Sequence, residues 1–380
     1  MTKKSFLLLM VSTLLFVSCK KEIETPNIPN TPNTNVDFGD NNLKAVLLSK
    51  YPEIDANKDG QISKEEAAKI TRIDFSFDKK ENIPANQKIT SLKGIDAFTN
   101  LNHLLLKNQF VTDATPVQNL TKLKVLHLGA NELSAIDVSK LVELDSLFLF
   151  GNMNITSLDL SHNKKLREIF LQNMGIKSLD LSKCINLTKA YINNAKVLEN
   201  LTIGSLPKLE RLDAVKQNLT SIVAKDLPAL KELHLNSNKI KNITLKNLPI
   251  LERLNVYDNQ LNSIDLSELP KLMFLFLHEN SGLSNINTDN NPLLFQVIFS
   301  QTAVSSISFA KNKIIRNVEM EYCTSLTEID LQNGEFNEDA EYLIKNGNSV
   351  LKTVYADAGD EFNMIKNIFS TTPSVTVTTR

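Results

Sequence analysis

The chain has 380 residues, with 42 Lys and Arg against 43 Asp and Glu, and 42% of it is hydrophobic. That apolar fraction excludes a disordered polymer, and the near-zero net charge without a basic stripe excludes a sequence-independent grip on nucleic acid. Three cysteines in so long a chain exclude a disulfide scaffold.

Residues 1–19 open with Lys3 and Lys4, run apolar from Phe6 to Val17 and end on Ser18-Cys19. A basic start, an apolar run and a small residue before the cut make a secretory signal, too short for a comfortable spanning helix. The ending resembles a bacterial lipoprotein signal, although Phe16 stands where that family usually has Leu. The resemblance implies that Cys19 becomes a lipidated first residue; ordinary cleavage without lipid is the other reading. Residues 20–39 hold Pro26, Pro29 and Pro32 among Asn and Thr, an extended tether that cannot bury a core. Its charged start, Lys20 to Glu24, is similar to surface-export signals of Bacteroidetes-type lipoproteins, which implies the outer face of an outer membrane. Such an anchor keeps the body in water beside a membrane.

Next comes Asp55-Ala-Asn57-Lys-Asp59-Gly60-Gln61-Ile62-Ser63-Lys-Glu65-Glu66. It satisfies D-x-[DN]-x-[DN]-G-x₅-E at every specified position. Calcium takes six to eight oxygens, so short side chains at Asp55, Asn57 and Asp59 converge from a tight turn that Gly60 permits. Gln61 offers its backbone carbonyl, Ser63 a direct or water-mediated oxygen, and Glu66 two oxygens from the exiting helix. A glycine turn before a helix opened by the capping box Ser63-x-x-Glu66 is the competing reading. Pro52 interrupts the incoming helix predicted around 43–50, and the chain holds no second loop of this kind. The resemblance is to single, structural EF-hand or dockerin-like loops, which implies a bound Ca²⁺ that stiffens the entry to the repetitive segment beyond it.

Residues 40–100 read as an N-terminal cap, in which Ile70-x-x-Ile73-x-Phe75 already shows the spacing of that segment. From Leu101 to Leu331 one pattern, L-x-x-L-x-L-x-x-N-x-L, is written eleven times. Its copies begin at Leu101, Leu123, Leu144, Leu166, Leu187, Leu209, Leu230, Leu251, Leu272, Leu294 and Ile315, always 21 or 22 residues apart. This resembles the leucine-rich repeat. The resemblance implies an α/β solenoid: a horseshoe of about eleven rungs with a parallel sheet on its concave face. Units this short leave no room for full helices on the convex side, so extended or 3₁₀ pieces are predicted there. The repeats are assigned to 101–335 and a C-terminal cap to 336–380, with helices over 337–345 and 361–369 and a strand at 351–356.

Within each copy, positions 0, +3 and +5 point inward. Position +8 is Asn131, Asn152, Asn238, Asn259 and Asn280 in five copies, where an amide satisfies backbone groups of neighbouring turns. Elsewhere the position is Gln109, Met174, Ala195, Gln217, Thr302 and Cys323, so the ladder is interrupted in the middle, which predicts local irregularity in rungs four to six. Cys184 and Cys323 lie seven rungs apart, about 30 Å at strand spacing, and cannot pair. The repeated Asp of the second half-units reads as a solvated face.

Positions +2, +4 and, at the edge, +6 and +7 face away from the core. The +4 column reads Leu105, His127, Phe148, Phe170, Tyr191, Asp213, His234, Asn255, Phe276, Ile298 and Glu319, flanked by Phe150, Tyr257, Phe274 and His278. Exposed aromatics that the fold does not need mark an interaction face. The predicted partner-binding residues are Phe148, Phe170, Tyr191, His234, Tyr257, Phe274, Phe276 and His278. The histidines lie rungs apart without convergent carboxylates, and no motif pairs a nucleophile with a base. The chain therefore reads as a non-enzymatic, membrane-tethered adhesion module similar to internalin-like proteins, with a protein partner. A glycan ligand, in a lipoprotein accessory to polysaccharide uptake, is the alternative.

Overall fold

The computed structural model describes residues 35–344 and 346–379. Cys19, the signal segment and most of the tether lie outside the described residues.

Among the described residues, thirteen strands form one parallel sheet from Arg72–Asp74 to Glu341–Leu343. Eleven of them, His103–Leu105 through Asn317–Glu319, occupy positions +2 to +4 of the eleven sequence copies. Pairing is residue for residue, as in His127 opposite Phe148 and Phe148 opposite Phe170. The +3 residue of each of these eleven strands is buried and its neighbours are half-buried or better. One face of the sheet therefore closes a continuous core of Leu, Ile and Val, and the other lines the groove. Arg72–Asp74 pairs in register with His103–Leu105, so the Ile70 pattern is a genuine first rung.

Each rung turns inward by the same device. The +7 residues, from Asn108 and Ala130 through Lys216 to Tyr322, all have positive φ between 51° and 76°. Only Gly151 among them is glycine. Their backbone N–H groups donate to the next rung, as Ala130 does to the Phe150 carbonyl at 2.6 Å and Lys216 to that of Asn236 at 3.0 Å. Position +7 is thus a left-handed corner, not an edge of the groove.

The corner delivers the +8 amide into the core. Asn152 Nδ2 donates to the carbonyls of Leu128 at 2.9 Å and Leu149 at 2.7 Å, and its Oδ1 accepts the Leu133 N–H at 3.1 Å. Asn131, Asn238, Asn259 and Asn280 repeat the arrangement, and Gln109 and Gln217 reach the same groups with a longer arm. At the interrupted rungs the main sheet keeps its register, with Glu168–Phe170 on Lys189–Tyr191 on Arg211–Asp213. The predicted irregularity is confined to the turn, where Asn194 and Lys196 both take positive φ. A second set of buried amides, Asn163, Asn291 and Asn312, stands in a column otherwise mostly Leu and ties the returns together through preceding carbonyls.

The convex side is extended, as short units require. Ser178–Asp180 pairs with Asn200–Thr202, and Ser221–Lys225 pairs with Asn242–Lys246. Four more strands, Ser306–Ser308, Glu328–Asp330, Thr353–Tyr355 and Thr376–Thr378, form a third convex sheet. The Asp column makes turns: Asp137, Asp159, Asp180 and Asp265 accept the N–H of the serine two residues on at 2.8–3.0 Å. Cys184 and Cys323 are buried free thiols.

One predicted helix is wrong. Asn337 makes a turn, accepting the Asp339 N–H at 3.0 Å, and Glu341–Leu343 then pairs with Asn317–Glu319 as a further rung. Twenty-four residues separate Asn317 from its partner Glu341, against 21 or 22 earlier. That insertion hid the repeat from its spacing, and strand pairing outweighed the local helix preference. The helix at Asp360–Ile368 and the strand at Thr353–Tyr355 do form.

Candidate functional site

The groove face divides into three zones along the rungs. The first is a column of stacked rings. His127 lies 4.8 Å from Phe148, Phe148 lies 4.5 Å from Phe170, and Phe170 lies 4.8 Å from Tyr191, with interplanar angles of 11–19°. These are strand spacings: parallel, in-register pairing places one +4 ring above the next, and the rings close face to face. Phe150 packs edge-on against His127 at 5.5 Å. Gly129 leaves room for that ring, since a Cβ there would sit 2.7 Å from it.

Stacking changes what the rings present. All four are half-buried, not exposed as their positions suggested, because each covers its neighbour. Their edges line the groove while their faces are spent on one another. Burial holds His127 neutral, with its pKa lowered to about 4, and the nearby Lys107 charge adds to this.

The second zone is charged. Arg211 Nε and Nη2 donate to the two carboxylate oxygens of Asp213, each at 3.0 Å, and Nη1 donates to Glu232 at 2.7 Å. His234 Nε2 meets the same Glu232 oxygen at 3.0 Å. Burial pushes the Glu232 carboxyl up, but the His234 hydrogen bond and the Arg211 charge outweigh it and hold it below its ordinary value. The Arg211 guanidinium also lies 5.6 Å from the Tyr191 ring, joining this network to the end of the ring stack.

The third zone is aromatic again. The Arg253 guanidinium carbon lies 4.0 Å from the Phe274 ring and 5.6 Å from Phe276. Phe274 meets Phe295 edge-on at 6.0 Å, and Arg316 lies over Phe295 at 5.7 Å. Tyr257 stacks on His278 at 4.2 Å. Burial lowers the His278 pKa, against the pull of Glu279, Glu319 and Asp258.

The predicted partner-binding residues therefore fall in two groups separated by the charged zone. Phe148, Phe170 and Tyr191 form one group; Tyr257, Phe274, Phe276 and His278 form the other, and His234 belongs to the charges between. Phe295, Arg211, Arg253 and Arg316 were not among the predicted residues. A signal for Phe295 existed: it is an aromatic ring at position +1, a column otherwise largely polar or charged.

At the opposite end, the Asp55–Glu66 loop is tightly hydrogen-bonded. Asp55 Oδ1 accepts the Asp59 N–H at 3.0 Å and Oδ2 that of Gly60 at 2.9 Å; Asn57 Oδ1 also accepts from Asp59 at 3.0 Å. Asp59 Oδ1 accepts the Gln61 N–H at 2.7 Å. Lys58 and Gly60 take the left-handed conformations that fold the loop back. Glu66 is buried, and its Oε1 accepts from Ala56 at 2.9 Å. Its Oε2 accepts from the Ser63 N–H and hydroxyl, each at 2.8 Å, completing the capping box. Burial raises the Glu66 carboxyl, but these bonds outweigh it and hold its pKa below the ordinary value. Hard oxygen donors in this order fit calcium chemically. Among the described residues, however, no three His, Cys, Asp or Glu side chains stand close enough together to hold a metal ion. The Ile62 carbonyl accepts the Val36 N–H at 2.8 Å, and Asn35 bridges Ser63 antiparallel. The stretch just before the cap thus pairs with the end of the loop.

No protein-family profile and no curated protein matches the chain in sequence. Solved structures do match. The functional domain of InlJ from Listeria monocytogenes, which includes a cysteine ladder, aligns with a TM-score of 0.60 at 22% identity, over 84% of this chain and 64% of that one. An internalin, InlF, from the same species aligns with a TM-score of 0.50 at 20% identity, over 86% and 98%. The LRIM1/APL1C complex gives a TM-score of 0.50 at 17% identity, over 83% and 53%. The fold is a leucine-rich-repeat solenoid. This solenoid spans just under two thirds of the InlJ domain and about half of the LRIM1/APL1C chain. Where InlJ includes a cysteine ladder, the leucine-rich-repeat ladder here is built mostly of amides, with Cys323 as one late member.

Proposed function

We propose that this chain is a non-enzymatic binding module, tethered to a bacterial outer membrane through lipid on Cys19, whose concave face docks a protein partner. The observation that carries the reading is the His127–Phe148–Phe170–Tyr191 column. The core behind it is already filled by Leu126, Leu147, Ile169 and Ala190, all fully buried, so the fold does not need four aromatic rings on the groove side. Aromatic residues flanked by an ordered charge network are the composition of a protein-binding hot spot. The glycan reading is the weaker one on geometry. A sugar ring packs on an aromatic face, and here those faces are occupied at 4.5–4.8 Å by neighbouring rings.

The test is capture of surface proteins by the purified chain, run beside a glycan array, with Phe148, Phe170 and Tyr191 together changed to Ala. Loss of a protein partner with the melting temperature kept near that of the parent supports the reading. Glycan binding that the triple change removes, without any protein partner, would replace it. We further propose that the Asp55–Glu66 loop takes calcium as a structural ion, Glu66 exchanging helix-cap bonds for the metal. Calcium raising the melting temperature, and Asp55→Ala with Asp59→Ala abolishing that rise, is the expected result. An unchanged melting temperature and no binding heat in titration would remove the calcium site.

A further inference from the structure

Five arginines lie among the described residues, and three of them, Arg72, Arg167 and Arg211, make ion pairs with a nearby Asp. Among the described residues Arg253 and Arg316 have no carboxylate at ion-pair distance, although the Arg253 charge is felt by Glu232 across the strand pair; each guanidinium lies over a phenylalanine ring instead. A guanidinium lying on a ring face keeps its N–H donors in the plane, pointing away from the ring, where they match a carboxylate two bonds at a time. Phe274 and Phe295 touch edge to face, so the two cation–ring pairs form one connected platform beside the groove. The nearby Glu232 is engaged by Arg211 and His234.

We propose that Arg253, Phe274, Phe295 and Arg316 form a carboxylate-binding platform that takes an acidic segment of the protein partner. This rests on the concave-face reading and adds the partner's chemistry to it. The strands holding or following the two arginines are three steps apart in the sheet, through Phe274–Phe276 and Gln296–Ile298. At strand spacing that is about 14 Å, which an extended peptide covers in about four residues. The platform therefore suits two acidic side chains four residues apart on an extended segment laid across the rungs.

The test uses a labelled Ser/Thr-rich peptide with two glutamates four residues apart, its Gln-for-Glu twin and a single-stranded oligonucleotide, by fluorescence anisotropy at constant ionic strength. The acidic peptide is expected to bind about 10-fold or more tighter than its twin, and Arg253→Met or Arg316→Met to cost about 10-fold each. The double change should bring the two peptides level. Arg253→Lys keeps the charge and loses the planar fork, so it should recover less than half of the preference in free energy. The Phe148, Phe170, Tyr191 triple change, three or more strands away from Arg253, should leave the ratio of the two peptides intact. Equal affinity of the two peptides for the parent chain, or no acidic-peptide binding at millimolar concentration, overturns the platform; the concave-face reading is then judged separately by the capture experiment. An oligonucleotide that displaces the peptide and depends on the same two arginines also overturns it, in favour of a polyanion site.

Discussion

Replacing Asn152 by Ala tests the amide ladder at a position where the partners can be counted. Its side chain is almost fully buried and makes three hydrogen bonds to backbone groups. They are not equal losses. The Leu128 carbonyl also accepts from Asn131 at 3.0 Å, and the Leu149 carbonyl from the Asn152 N–H at 3.4 Å, so each keeps a partner. The Leu133 N–H has no other acceptor among the described residues. Orphaning it costs about 2 kcal/mol, and the two weakened carbonyls with the space left by the amide add about 1 more. The expected loss is about 3 kcal/mol in urea unfolding followed by far-UV circular dichroism, at an unchanged m-value. Asn152→Asp separates this account from simple loss of volume. The Leu133 acceptor survives, but a carboxylate then faces two carbonyl oxygens where an amide donated, so the loss at pH 7 should at least equal that of Ala. Protonation restores one donor, which should return part of the stability toward pH 4. A loss under about 1 kcal/mol for Ala, or an Asp variant with no pH dependence, would refute the ladder's energetic role.

The same geometry fixes three other outcomes. Lys216 holds φ at 55° on an exposed corner, so Lys216→Gly should raise stability by about 0.5–1 kcal/mol in the same assay, whereas Gly151→Ala at φ 76° should lower it. Burial, with the Asp357 charge adding to it, raises the Glu361 pKa to about 7 despite bonds from the Asp357 N–H and Tyr342 hydroxyl. Its folded pKa lies above the unfolded one, so its contribution is fully present below about pH 4.5 and is lost as pH rises through about 7. Glu361→Gln should accordingly stabilise the chain by up to about 3 kcal/mol at pH 8 and by little at pH 4.5, read from melting at both. His127, held near pKa 4 chiefly by burial, should move toward its ordinary value in Phe148→Ala, which uncovers one face of its ring. Histidine proton resonances tracked through a pH titration report this, and an unmoved His127 would mean that the stack does not supply its burial.

Much of the solenoid was legible because its signal is periodic and each copy repeats the evidence for the others. Leu126, Leu147 and Ile169 could be assigned inward from spacing alone. What escaped were features that depend on rung-to-rung geometry. The left-handed corner is filled by residues as unlike as Ala130, Lys216 and Tyr322, because the N–H donated to the next rung, not the side chain, fixes the conformation. The last rung was lost to an insertion before Glu341. Ring stacking arises from register, which no single copy displays, so Phe148 and Phe170 read as exposed when they shield each other. The Arg253–Phe274 and Phe295–Arg316 contacts each join one column of neighbouring rungs across a single 21-residue period, so the spacing could have paired them; that a cation settles on the neighbouring ring shows only once the rungs are stacked.

The ring column crosses the rungs of Met174 and Ala195, where the amide ladder is missing. In a stack where each turn touches only its neighbours, cohesion is a sum of local terms, and a gap in one term makes a seam. A partner bridging the edges of Phe148, Phe170 and Tyr191 would clasp that seam from outside, adding its binding energy where the amide ladder is interrupted. Linkage runs both ways: whatever pries these turns apart, including tension along the chain, loosens the partner by the same amount. On the proposed reading, the face that would hold the partner is thus also the stretch of the stack whose cohesion that partner would reinforce.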